Sequence, residues 1–366
     1  MKILHHSFYD PVVKVMRIRS AAFTLVELLV SMSVTAVLLT ALVQMLAITQ
    51  KTWQQTQAQS ESFRAARSVF ESISRQLAQA TLNNYWDYND PNNPTFYQRQ
   101  SELHYVSGPS TTLFTSTANP VCGHAVFFQA PLGMDHLSAT DRGAALEATL
   151  NSWGYYVQYE SEMDDRPSFL REDTVTNPER KRLRLKEFRQ PTENFSLFQM
   201  PAGAPAGSRP LLHSAVTENS LYYWFRSVAD ERSEALADNI LALIIQPMQP
   251  GEEMPENSYL YDSRAHQLAA GELSTEEAAR RHQLPPMVRL TLIAVDESSW
   301  MQWNPDDIQV NALISEVNDK FSVPANYEED LEELTSYLIT EAKLQYRVFS
   351  TTVLIRAAKW HTSREL

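Results

Sequence analysis

The sequence predicts an α+β protein in which one long amino-terminal helix packs on an antiparallel sheet. Three observations carry that expectation. No Gly occurs before Gly108 and no Pro lies between Pro11 and Pro91, so the first quarter of the chain is almost free of helix breakers. Inside that window an apolar run, Phe23 to Ile48, gives way to an amphipathic stripe. Beyond residue 100 the apolar pattern shortens to runs rich in β-branched and aromatic residues, bounded by Pro, Gly and Asn.

The elements follow in order. Residues 1–22 form a basic leader, with Lys2, Lys14, Arg17 and Arg19 against Asp10. The apolar run 23–48 (FTLVELLVSMSVTAVLLTALVQMLAI) has 26 residues, about 39 Å as a helix, enough to cross a bilayer core. It carries one acid, Glu27, and a carboxylate in such a segment is costly and usually functional. From 49 to 82 the chain is rich in Gln, Ala, Ser and Arg, and Phe63, Ala66, Phe70, Ile73, Leu77 and Ala80 recur at spacings of 3, 4, 3, 4 and 3. This is one apolar face, so a single helix over about 20–82 is expected, its second half serving as the spine on which the sheet packs.

Residues 83–100 read as a loop of Asn, Asp and Pro. Asp87, Asn89 and Asp90 offer oxygen ligands, but the segment lacks the acidic density and closing Glu of a calcium loop, and turn chemistry is favoured. Strands are expected at Ala125–Ala130, Trp153–Glu160, Arg182–Arg189, Leu221–Phe225, Ile240–Gln246, Met287–Val295 and Tyr346–Ile355. Ser274-Thr275-Glu276-Glu277 reads as a capping box opening a helix to His282. Asn326–Leu344 reads as a second helix, with Glu328, Glu329 and Asp330 at its positive end. Pro201–Pro210 reads as a surface loop.

The string Ala22-Phe23-Thr24-Leu25-Val26-Glu27-Leu28-Leu29-Val30 resembles the processing and methylation motif of type IV prepilins and type II secretion pseudopilins. The resemblance implies cleavage between Ala22 and Phe23 by a prepilin peptidase, methylation of the new Phe23 amine, and pairing of Glu27 with the amine of a neighbouring subunit. A carboxylate in lipid needs a cation, and a head-to-tail stack of such helices delivers one. Two positions depart from the family: Ala22 stands where Gly is usual, and Gln44 where a kinking Pro is usual. No A-x-A site follows the run, as a cleaved secretory signal would require. Further segments, residues 79–88 (QATLNNYWDY), 123–133 (GHAVFFQAPLG) and 282–286 (HQLPP), resemble the Verru_Chthon cassette protein C family, which is prepilin-like and implies no biochemical activity. More distantly, the plan is similar to the larger minor pseudopilins.

Other chemistry is sparse. The chain has 366 residues and a net charge of −13. Removing residues 1–22 takes away four bases and one acid and moves that charge to −16, which opposes binding to nucleic acid. The single cysteine, Cys122, excludes an intrachain disulfide. Cys122-Gly123-His124 with His136 evokes a metal or nucleophile cluster, but a buried thiol and turn histidines are favoured. No histidine pair has zinc-site spacing, and no phosphate loop, dinucleotide fingerprint or G-x-S-x-G occurs. Arg180–Lys186 (RKRLRLK) reads as a solvated edge strand blunted by charge. Tyr85-Trp86, Trp153-Tyr155-Tyr156 and Tyr222-Tyr223-Trp224 read mostly as core, although an exposed cluster would mark a binding surface.

The expected organisation is thus a leader (1–22), a membrane and assembly helix (23–48), a spine (49–82) and an α+β body (83–366) outside the cytoplasmic membrane, crossed once. The expected function is that of a minor pilin or pseudopilin-like structural subunit in a pilus or secretion-type assembly. The expected partners are the prepilin peptidase and methyltransferase, other pilin-like subunits and the membrane, with no enzyme activity, cofactor, metal or nucleic acid. The alternative is a surface binding module that uses the same anchor for display.

Overall fold

The computed structural model describes residues 24–88, 93–115, 119–133, 149–163, 166–171, 179–192, 195–198, 221–248, 258–267 and 280–359, apart from the side chains of 54, 55, 58–60 and 62. The leader, Ala22, Phe23, Asn89, Asp90, His136, the 201–210 segment and the Ser274–Glu277 capping box lie outside these residues. The chain divides into two units, Met1–Gln57 and Ala58–Leu366.

Helix α1 runs from Leu25 to Leu77. In the first unit its apolar side chains are exposed, Leu25 by 78% and Val37 by 69%. In the second unit the expected stripe is buried throughout: Phe63, Ala66, Phe70, Ile73, Leu77 and Ala80 all belong to the main core. Gln79 and Ala80 turn off the helix through bonds to Gln76 and Leu77 carbonyls, so α1 ends about five residues earlier than its composition suggests.

The strands are β1 (Tyr85–Tyr88), β2 (Tyr97–Gln100), β3 (Val106–Pro109), β4 (Val121–Pro131), β5 (Leu150–Ser161), β6 (Lys181–Gln190), β7 (Ser233–Asp238), β8 (Ile240–Met248), β9 (Tyr261–Asp262), β10 (Met287–Val295) and β11 (Tyr346–Leu354). They form a six-stranded sheet in the order β7-β6-β5-β4-β3-β9, a three-stranded sheet β11-β10-β8 and a two-stranded ladder β1-β2. All pairings are antiparallel. The class is therefore α+β, as the change of periodicity implied.

The six-stranded sheet has a core on each face, so β4 is buried almost end to end and reads as a continuous apolar run. Cys122, Val126, Phe128 and Ala130 join the α1 stripe and the three-stranded sheet. Val121, Ala125 and Phe127 face a second core with Phe114, Tyr156, Phe188, Trp224 and Phe225. Phe127 stacks on Phe225 with centroids 4.1 Å apart. Its ring also covers Gly154 on the paired strand, where an added Cβ would come within 2.2 Å of Phe127 Cδ1.

Several sequence expectations need correction. Leu221–Phe225 is not a strand: Tyr223–Arg226 is a helical turn. Arg226 caps the Leu113 and Thr112 carbonyls there, and Trp224 enters the aromatic core. Residues 83–100 are not simply a loop, because they hold the β1-β2 ladder. The basic strand is not an edge: β6 lies between β5 and β7, and its cations meet acids from both neighbours. Arg184 Nε lies 2.7 Å from Asp238, and Lys186 Nζ lies 2.8 Å from Glu160. His124 is not a turn histidine but a buried strand residue. Among the described residues two helices longer than one turn went unread, α2 (Glu297–Trp303) and α3 (Asp307–Lys320). Asp296 caps α2 and an Asp306–Gln309 capping box opens α3. The expected helix after Asn326 is present as α4, Tyr327–Thr340.

Two outcomes follow. Phe70 is 7% exposed and its ring lies 5.9 Å from that of Phe349 on β11. Phe70→Ala should therefore cost about 3–5 kcal/mol, read by urea unfolding of a soluble fragment starting near Gln50. A fragment starting at Asn83 should aggregate. The second concerns Asp330, whose Oδ2 is buried without a hydrogen-bond partner. Burial pushes its carboxyl up to about 6, with Glu333 and Glu329 adding repulsion and Lys320 opposing it. A raised carboxyl binds its proton more tightly folded than unfolded, so this contribution is present below pH about 4 and lost as pH rises through 6. Asp330→Asn should raise Tm at pH 7 more than at pH 4.

Candidate functional site

The candidate site is the first turn of α1, and its geometry follows from the spacing Thr24-x-x-Glu27. A helix start leaves four backbone N–H groups without internal partners. Thr24 N–H donates to Glu27 Oε2 at 3.0 Å, and the Thr24 hydroxyl donates to the same oxygen at 3.0 Å. Glu27 N–H in turn lies 3.2 Å from Thr24 Oγ1. This reciprocal pair is a capping box, and the carboxylate also lies at the positive end of the helix dipole. Both side-chain bonds fall on Oε2, so among the described residues Oε1 is open to a further donor.

The rest of the run is prepared for an apolar solvent. Leu25–Trp53 forms a candidate membrane span of 29 residues with mean hydropathy 2.2 and no part buried in protein. Its hydroxyls are satisfied inside the helix. Ser31, Ser33, Thr35, Thr40 and Thr49 each donate to a carbonyl three or four residues back, at 2.7–2.9 Å. Back-bonding of this kind lets hydroxyls enter lipid at little cost. Glu27 is the single charge between Leu25 and Thr49.

Residues 17–43 match the family described as the prokaryotic N-terminal methylation motif. The matched stretch contains Ala22, Phe23 and Glu27 and covers the capped turn and most of the apolar run. It marks a prepilin-type, membrane-anchored amino terminus. No curated protein and no solved structure matches the chain.

In the body, the cysteine–histidine expectation resolves into packing. Gly123, at φ +67°, lies in an irregularity of the β4-β5 ladder, and a Cβ there would come within 2.7 Å of the Leu243 carbonyl oxygen. The bulge aims His124 inward. Ile245 N–H donates to its Nδ1 at 3.0 Å, and Nε2 lies 3.1 Å from the Phe321 carbonyl. Nδ1 thus accepts and Nε2 donates, which fixes a neutral ring, and burial holds its pKa down at about 4. Burial pushes the Cys122 thiol up, away from nucleophilic use. Among the described residues no three His, Cys, Asp or Glu side chains are grouped to hold a metal.

One buried polar network was not anticipated. Trp224 Nε1–H donates to His104 Nδ1 at 3.1 Å, His104 Nε2 lies 2.7 Å from Asp262 Oδ1, and Tyr222 OH donates to Asp262 Oδ2 at 2.9 Å. The Trp224 bond makes Nδ1 the acceptor, so His104 is neutral and donates to Asp262. All four side chains are buried, and the network ties β9 to the second core. No local pattern announces it, since its members lie up to 158 positions apart.

A groove of about 630 Å³ is lined by Tyr159, Lys181, Arg182, Glu297 and Asp307, whose charged groups pair with one another. Lys181 Nζ lies 2.6 Å from Asp307, Tyr159 OH donates to Asp307, and Arg182 pairs with Glu297 at 2.8 Å. The pairing and hydrogen bonds hold Asp307 below and Lys181 above their ordinary values, so both stay charged at neutral pH.

Two roles for Glu27 are separable by substitution. Glu27→Gln keeps an acceptor for the Thr24 N–H and removes the charge, whereas Glu27→Ala removes both. If the charge recruits a neighbour's amine, both variants should insert in the membrane, resist alkaline extraction, and lose co-purification with pilin-like subunits at least tenfold. Normal co-purification of Glu27→Gln would assign the carboxylate to capping alone.

Proposed function

We propose that the chain is a minor pilin or pseudopilin-like structural subunit. Its leader is removed between Ala22 and Phe23 by a prepilin peptidase, and the Phe23 amine is methylated. The 23–48 segment then anchors it in the cytoplasmic membrane, with the body outside. The observation that carries this reading is the methylation motif at residues 17–43 laid over an exposed apolar helix whose one carboxylate is held at its amino-terminal turn. In this reading Glu27 Oε1 receives the methylated amine of an adjacent subunit while Oε2 continues to cap its own helix. The finer resemblance to the Verru_Chthon cassette protein C family and to type II secretion minor pseudopilins belongs to the same reading, and its partners are other pilin-like subunits.

A second reading, a binding module displayed on a pilin-type anchor, is favoured by one feature. Trp86, Tyr88 and Tyr97 are each more than 40% exposed on one face of the β1-β2 ladder. Tyr88 and Tyr97 stack at 4.8 Å, and Arg99 lies 6.0 Å over Trp86. The other two aromatic clusters of the sequence are core apart from Tyr223, which is half-buried.

Intact-mass analysis of membrane-extracted protein tests the first reading. It should show a chain that begins at Phe23 and carries one extra methyl group. Ala22→Arg should leave the leader in place. A start beyond residue 48, or an uncut leader in assembled material, would contradict the proposal.

A further inference from the structure

The outer edge of β11 carries no strand partner in its sheet. The register β10–β11 pairs residues whose numbers sum to a constant, Met287 with Leu354 through Val295 with Tyr346. Just beyond each end, Ile355 N–H donates to Pro286 O and Asp296 N–H donates to Gln345 O. In an antiparallel ladder hydrogen-bonded pairs alternate with non-bonded ones. The odd residues 347, 349, 351 and 353 therefore bond to β10. Tyr346, Val348, Ser350, Thr352 and Leu354 turn their N–H and C=O groups outward. Among the described residues these five make no backbone bond on that side; the next outward N–H, of Arg356, donates to the Ala78 carbonyl at 3.1 Å, so the open stretch ends at Leu354.

Such edges are normally blunted by proline, charge, bulges or shortness. β11 has nine residues, no proline, a continuous register and one charge, Arg347. A groove of about 660 Å³ runs beside it, lined by Arg67, Phe70, Glu71, Ser74 and Arg75 of α1 and by the consecutive residues 348–351. Consecutive residues line it because it follows the strand's edge; a groove across one face would touch alternate residues.

Charge indicates the occupant. The chain carries a net −13, yet this wall is basic. Arg64, Arg67, Glu71 and Arg75 recur at spacings of 3, 4 and 4 on one helix face, and Arg347, Arg356 and Lys359 come from β11 and the residues after it. Arg64, Arg67, Arg75, Arg347 and Arg356 are exposed, and Glu71 is engaged by Arg67 at 3.0 Å.

We propose that the β11 edge and the α1 groove form a strand-addition site for an acidic, extended segment of another polypeptide. Main-chain bonds to residues 346–354 would supply affinity, and the arginine row would select for acid. The site shares no residue with the amino-terminal turn, so the proposal does not depend on how that turn is used.

The test uses the detergent-solubilised full chain and two fluorescent nonapeptides, one alternating valine with glutamate and its twin alternating valine with lysine. Anisotropy should show the acidic peptide binding at least tenfold tighter. Thr352 is exposed with its N–H outward. Thr352→Pro removes that donor and should abolish binding, while Thr352→Val keeps it and should bind as the parent does. Arg67→Glu with Arg75→Glu should lose the acidic preference in a chain whose β11 is unaltered. Equal binding of the two peptides, or undiminished binding to Thr352→Pro, would overturn the proposal. So would Ser350→Cys chains that cross-link to each other through β11, which would identify a second copy as the occupant.

Discussion

The structure depends on one helix meeting two solvents. Up to Trp53, α1 exposes its apolar side chains. From Phe63 to Leu77 it hides them in the core shared by β4, β5, β8 and β10. Burial of apolar surface drives both halves, toward lipid in one and toward the sheets in the other. The three-stranded sheet has Ile240, Leu243, Leu290, Leu292 and Val353 in that core, and three strands are close to the minimum that holds together in water. The α1 stripe provides part of its cover, which is why the stripe's six positions are apolar while most of the positions between them are Arg, Ser, Gln or Glu.

The features of this chain that suggest chemistry in the sequence are mostly engaged in holding the body. Cys122, His124 and the basic strand all bear reactive residue types, and each is neutral or paired where it lies. Glu187 accepts from Trp153 Nε1 and Tyr155 OH, both at 2.9 Å. Buried polar groups need such partners, and removing one partner costs more than the bond contributed. What is left open on the described surface is an apolar helix, an aromatic ladder and a strand edge.

The sequence was most legible where one local pattern decided the outcome. The α1 stripe kept its helical period, and Met287–Val295 appears at the expected residues because its apolar run is bounded by Pro286 and Asp296. Glu27 was legible because an acid in an apolar run is conspicuous; its role as a cap was written in the spacing to Thr24. Leu221–Phe225 misled because aromatic residues favour strands, while the deciding contacts, Arg226 to Thr112 and Trp224 to His104, span more than a hundred positions. The basic strand misled for the same reason. Its acids, Glu160 and Asp238, lie on β5 and β7, and pairing of strands is not written in either strand alone. His124 depended on a bulge at Gly123, whose need follows from the approach of Leu243.

Helix α1 is at once a candidate membrane span and a structural part of the body. Amide hydrogen exchange on the full chain in lipid nanodiscs tests it directly. Amides of residues 63–77 should open only with the β10 amides, so that both report the same opening free energy and lose protection together as urea is added. Amides of 63–77 that exchange while β10 stays protected would contradict it, since the helix would then be attached to a body that folds without it.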